Sequence, residues 1–148
     1  MSTGERRRWW AIAGLIALWL VTIVEALGMG VAGFSKFQNP DFWRASFSGW
    51  GYPEGFSAVV GAVEMAGALL LLLPASARYG ASVLIVIMLG AMYTDLANES
   101  GLGLAAPLIH LTLLGIILAA RRRRGGFVSS AEAHTQGAAP PEPTETPR

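Results

Sequence analysis

The sequence predicts an all-α integral membrane protein built as a four-helix bundle. Both termini are expected on the cytoplasmic side, with a short interfacial helix on the outer side and a disordered C-terminal tail. Three observations predict this. The chain of 148 residues is 53% hydrophobic and only 14% charged, where soluble domains carry roughly 25% charge. Four long apolar runs, 9–33, 56–73, 80–97 and 104–120, each have about the 17–25 residues that a hydrocarbon core of about 30 Å demands of a helix. The arginines are distributed as the positive-inside rule requires of four spans.

The charge pattern sets the orientation. Arg6, Arg7 and Arg8 precede the first run, Arg78 lies between the second and third, and Arg121, Arg122, Arg123 and Arg124 follow the fourth. The segment 98–103 has no Lys or Arg, and in 34–55 Lys36 and Arg44 are offset by Asp41 and Glu54. Segments 34–55 and 98–103 are therefore expected outside, and the Arg-rich ends and residues 74–79 inside. The segments follow: a cytoplasmic N-terminal tail over 1–8, the bundle over 9–124, and a disordered cytoplasmic tail over 125–148. That tail is rich in Pro, Ala, Ser, Thr and Glu and cannot bury enough apolar area to fold alone.

Each element has its local reasons. Trp9 and Trp10 sit where an aromatic belt would meet the cytoplasmic headgroups. The N-terminus has the Arg-then-apolar look of a signal peptide. No small-residue cleavage site closes the run, so a retained anchor is expected. The segment 34–56 holds eight aromatic positions from Phe34 to Phe56 among turn residues, too apolar for a solvated linker. Pro40–Ser48 reads as an amphipathic helix at the outer interface, capped by Asn39. Gly51, Tyr52 and Pro53 read as a turn into the second span, which ends at Pro74. Pro107 falls near the start of the fourth, where a helix tolerates it. Ala58, Ala62 and Ala66 recur every four positions and would allow close helix contact.

The polar residues within the apolar runs carry the functional signal, because an uncompensated charge at membrane depth is costly. At 1.5 Å per residue, Glu64 lies about 12 Å, Glu25 about 10 Å and His110 about 9 Å below the outer boundary. Asp95 lies within about one turn of it, and Lys36 just above the layer. Tyr93 and Thr94 could add hydroxyls. Ionisable groups from four helices thus converge on the outer half of the bundle and predict a polar pocket there. Its expected ligand-binding or proton-relay residues are Glu25, Lys36, Glu64, Tyr93, Asp95 and His110. Neighbouring carboxylates would share protons, and a histidine could relay them or bond a ligand carbonyl. The competing structural reading pairs Glu64 with Lys36 to fix helix register, makes His110 a hydrogen-bonding strut, and leaves Asp95 and Glu99 solvated.

Several chemistries are excluded or disfavoured. With no cysteine there are no disulfides, thiol relays or Cys-ligated metal sites. Glu25, Glu64 and His110 lack the Glu-x-x-His pairing of a helical metal site, so no metal is expected. No dinucleotide-binding, phosphate-loop or nucleophile-elbow motif is present. The basic runs flank a span, so nucleic acid is not an expected partner; anionic lipid is.

The order of motifs adds to this. Gly33-Phe34-Ser35-Lys36-Phe37 is followed by Gly51-Tyr52-Pro53, then by Gly61-Ala62-Val63-Glu64-Met65-Ala66-Gly67, then by Arg78-Tyr79-Gly80-Ala81. This succession resembles the DoxX family of small bacterial four-helix membrane proteins, loosely over 9–120 and best over 33–95. The resemblance implies an inner-membrane bundle with Lys36, Glu64 and Arg78 as its characteristic polar positions. It also implies a redox setting, since some relatives are subunits of thiosulfate:quinone oxidoreductase and others associate with redox-stress proteins. Glu25 and His110 map onto no family position.

Three functions follow. The first is a membrane subunit of an oxidoreductase system that binds quinone or another small lipophilic ligand. It would have no intrinsic cofactor, and a partner protein would carry the redox centre. The second is a non-catalytic scaffold or assembly factor. The third is a small-solute or proton transporter. Self-association into a homo-oligomer fits any of them.

Overall fold

The computed structural model describes residues 2–98 and 103–136, with side chains as far as Arg122. Among the described residues it contains five helices, α1 (Thr3–Gln38), α2 (Pro40–Gly49), α3 (Phe56–Leu72), α4 (Ala77–Asn98) and α5 (Ala105–Gln136). α1 packs against α3, α3 against α4, and α4 against α5, and α5 returns to α1 to close the ring. The short α2 lies across one end, on α3 and α1.

Local chemistry explains where each helix starts and stops. Ser2 caps α1 in a reciprocal box: its hydroxyl accepts from the Glu5 amide at 3.3 Å, and its own amide donates to the Glu5 carboxylate at 2.7 Å. α1 ends at Asn39 (φ −123°, ψ 62°), because the residue before a proline is forced out of the helical region. Pro40 then occupies the first turn of α2, where no amide donor is needed. Asn39 does stand at the α2 start, though its side chain makes no capping hydrogen bond. Gly51 (φ +83°) and Gly55 (φ +81°) turn the chain back into α3, in a backbone region that favours glycine. Pro74 follows the end of α3.

Three helices are long and apolar enough to cross a membrane: α1, α4 and the Ala105–Arg122 part of α5. α3 is apolar but has only 17 residues, a length of about 25 Å. The four full-length spans expected from the sequence are thus three plus a shorter fourth helix. The burial pattern is that of an apolar-solvent protein. On α1 the inward stripe is Leu18, Thr22, Glu25, Met29, Gly33 and Lys36, which includes its polar residues. The outward stripe is Leu20, Val24, Leu27 and Val31, each at least 60% exposed. A helix in water would be arranged the other way round.

Two expectations are corrected. Ala58, Ala62 and Ala66 are exposed. The α1–α3 seam runs instead through Gly61, whose helix face also buries Ser57, Glu64 and Ala68. A Cβ on Gly33 would lie 2.7 Å from the Gly61 carbonyl oxygen, and one on Gly61 would lie 2.9 Å from the Gly33 carbonyl oxygen. At the far end, a Cβ on Gly80 would lie 2.8 Å from the Gly67 carbonyl oxygen. The second correction concerns the tail. The backbone of α5 stays helical to Gln136, beyond Gly125 where composition predicts disorder. Extending an existing helix avoids the nucleation penalty, and Ala131, Glu132, Ala133 and Gln136 are good helix formers. Residues 137–148, and Glu99, lie outside the described residues.

Candidate functional site

The bundle holds a cavity of about 440 Å³ beneath α2. Its side walls are apolar, with Met29, Val60, Val86, Ile87 and Ala91 among them, and aromatic residues of α2 and the following turn roof it. Phe47 is the hub of that roof: its ring centre lies 6.2 Å from Trp43, 5.3 Å from Trp50, 5.5 Å from Tyr52 and 6.0 Å from Phe56. Tyr52 and Phe56 stack at 4.9 Å. Trp43 and Phe47, spaced i, i+4, share one face of α2, and Trp50 is its C-cap. Lys36, Glu64, Asp95 and His110 reach this cavity from α1, α3, α4 and α5 in turn.

Lys36 and Glu64 form a buried ion pair. The ammonium donates to Oε2 of Glu64 at 2.7 Å, and the two side chains are 6% and 4% exposed. Lys36 also donates to the Ala32 carbonyl at 3.3 Å and lies 4.6 Å from the Trp43 ring centre. Hydrogen bonds and a cation–π contact thus replace most of its lost hydration. The sequence places Lys36 above the layer. It is within it instead, because α1 continues unbroken to Gln38 and carries Lys36 on the same inward face as Gly33.

Glu25 and His110 form the second pair. Nδ1 of His110 is 2.9 Å from Oε1 and 3.1 Å from Oε2 of Glu25. Glu25 is 1% exposed and lies behind His110 rather than on the cavity wall. With Glu25 ionised, its carboxylate only accepts, so the imidazole donates its Nδ1 proton and its orientation is set by that bond.

Asp95 is half-buried on the cavity wall, deeper than its expected solvated position. Of the expected site residues, Tyr93 neither lines the cavity nor, among the described residues, hydrogen-bonds to one that does. It is 69% exposed on the outer face of α4, because the next residue, Thr94, takes the inward position. The tyrosine that reaches the cavity is Tyr52. Thr94 donates to the Gly90 carbonyl at 2.9 Å, so its oxygen accepts from the Tyr52 hydroxyl at 2.6 Å. This bond ties the α2–α3 turn to α4. The sequence signal for it was slight: Tyr52 sits between Gly51 and Pro53 and reads as part of a turn. Arg78 is at the opposite end of the bundle, where it donates to the Tyr79 hydroxyl at 2.7 Å. Among the described residues, no group of three His, Asp or Glu side chains is placed to hold a metal ion.

Comparison with known proteins bears on this geometry. Residues 20–117 match the DoxX-like family. The chain belongs to that family. No curated protein and no solved structure matches it. The matched region of this DoxX-like chain includes both buried pairs and the whole aromatic roof. It also supports a membrane setting for the apolar outer face.

Proposed function

We propose that this DoxX-like protein crosses the bacterial inner membrane four times, with both termini in the cytoplasm and α2 at the outer surface. In this reading the short α3 spans with local bilayer thinning, at a modest cost per ångström of mismatch. The native chain lacks cysteine, so single-cysteine labelling gives a clean test. Ser48→Cys should react with an impermeant maleimide on intact cells, and Ser2→Cys only after permeabilisation. The reverse pattern would invert the proposed topology.

We infer further that the cavity binds a quinone or another small lipophilic ligand as part of an oxidoreductase system. The observation that carries this is the cavity itself. Its volume falls within the about 300–1,000 Å³ usual for ligand pockets, and it has the expected apolar walls with a few convergent polar groups. The chain offers no thiol relay, so electrons would come from a partner protein. Protein purified in mild detergent should carry quinone, as such or as its hydroquinone, in its lipid extract. The variant with both Lys36→Met and Glu64→Leu should fold and lose it. Undiminished quinone in that double variant would count against the reading.

One observation favours a scaffold role instead. Both buried pairs are internally satisfied, as structural cross-links would be. If the double variant folds and still supports the partner complex, the scaffold reading is the better one.

A further inference from the structure

The hydrogen-bonding inventory of the cavity is one-sided. Lys36 spends its donors on Glu64 and Ala32 and faces the Trp43 ring. The Tyr52 proton goes to Thr94, and the Thr94 proton goes to Gly90. Apart from the indoles of α2, the ammonium and hydroxyl donors of the lining are therefore committed. Besides those indole N–H groups at the roof, acceptors remain. Glu64 keeps Oε1, the oxygen that Lys36 does not hold. His110 keeps Nε2, since Nδ1 is bound to Glu25. In the neutral imidazole, with its one ring proton drawn to Nδ1, Nε2 carries a lone pair.

We propose that Nε2 of His110, positioned by Glu25, anchors the hydroxyl of a flat, apolar ring. The ligand class is a phenol or hydroquinone rather than a ring bearing carbonyls alone. This rests on the cavity being the ligand site. A carbonyl oxygen would meet a lone pair at Nε2 and a carboxylate at Glu64, and could bond to neither. A hydroxyl donates to either one. The aromatic roof formed by Phe47, Tyr52 and Phe56 supplies stacking surface for the ring. Glu25 touches no ligand in this arrangement. It is a positioning residue that fixes which imidazole nitrogen faces the cavity, as second-shell carboxylates do for other histidines.

The test uses the full chain in lipid nanodiscs, titrated calorimetrically with β-naphthol, β-fluoronaphthalene and menadione against empty discs. β-Naphthol should bind saturably. The fluoro compound, nearly the same shape but without a donor, and the carbonyl-only menadione should each bind about tenfold more weakly, the worth of one hydrogen bond. His110→Phe should bring β-naphthol down to the level of β-fluoronaphthalene. Nitrogen NMR of labelled histidine, in a His134→Gln background, should show the proton on Nδ1. Glu25→Leu should shift it toward Nε2 and weaken β-naphthol as His110→Phe does. Equal affinity of the wild-type chain for all three probes overturns the proposal and leaves the cavity reading standing. A wild-type His110 that carries a proton on Nε2, with or without one on Nδ1, overturns it as well. If none of the probes binds, the cavity reading itself fails. The wild-type comparison decides the matter even if a variant does not fold.

Discussion

Lys36→Met should destabilise the folded bundle by about 3–5 kcal/mol, and Glu64→Leu should do the same, because each leaves one buried charge without its partner. The geometry makes this a large effect. Lys36 and Glu64 are nearly inaccessible, 2.7 Å apart, and sit on different helices. In the Lys36→Met chain the Glu64 carboxylate loses its ion-pair partner, and in the Glu64→Leu chain the ammonium keeps only one carbonyl and a ring face. The chain carrying both substitutions should recover most of the loss, since well-packed apolar residues often replace a buried pair at little cost. Unfolding in mixed micelles, followed by Trp fluorescence, measures all four chains of this cycle. Single variants as stable as wild type would show that water reaches the pair and that its burial is not as described. The double variant matters most for function, because it separates a fold that needs the pair from a ligand that needs it.

The second large effect is expected at the glycine seam. Gly33→Leu should prevent α1 and α3 from packing, and Gly33→Ala should destabilise by about 1–3 kcal/mol or more through overpacking. A Cβ at Gly33 meets not only the Gly61 carbonyl at 2.7 Å but also Cβ of Glu64 at 3.1 Å. Backbone cannot swing aside as a flexible side chain can, so relief requires the helices to part. A Cβ at Gly61 would lie 3.1 Å from Cβ of Lys36, so parting the seam also pulls the ion pair open. Gly14→Ala and Gly115→Ala are the controls. Neither position has an atom within 4 Å of the added carbon, so both should be neutral or stabilising by up to about 1 kcal/mol from helix propensity. Loss of stability at Gly14 equal to that at Gly33 would mean that the helix, and not the seam, is the sensitive element.

Much of this protein was legible from its residues in order. The apolar runs gave the helices, Pro40 the start of α2, Pro74 the end of α3, and the depth of Glu25, Glu64 and His110 the layer in which polar groups meet. Helical rise converts position along the chain directly into depth, so those inferences needed no knowledge of packing. Depth says nothing of azimuth. Tyr93 and Thr94 are adjacent and equally deep, yet about 100° of helical rotation sends one to the outer face and the other into the cavity. The same rotation separates the exposed Ala58, Ala62 and Ala66 from Gly61 on the contact face.

Pairing was legible only in part: Lys36 with Glu64 is one of the two readings open in the sequence, whereas Glu25 with His110 is in neither. Lys36 could have met any carboxylate in the layer. The close approach of α1 to α3 through Gly33 and Gly61 gives it Glu64, while α5 brings His110 to Glu25. The roof required Tyr52 to fold back over α3 and find Thr94, forty-two residues away. The sequence by itself determined which segments are helical and the level of their buried polar residues, although α1 and α5 run well past the apolar runs 9–33 and 104–120. Only the tertiary structure decided which faces turn inward and who bonds to whom, because those follow from helix rotation and interhelical distance, which contacts between remote residues set together.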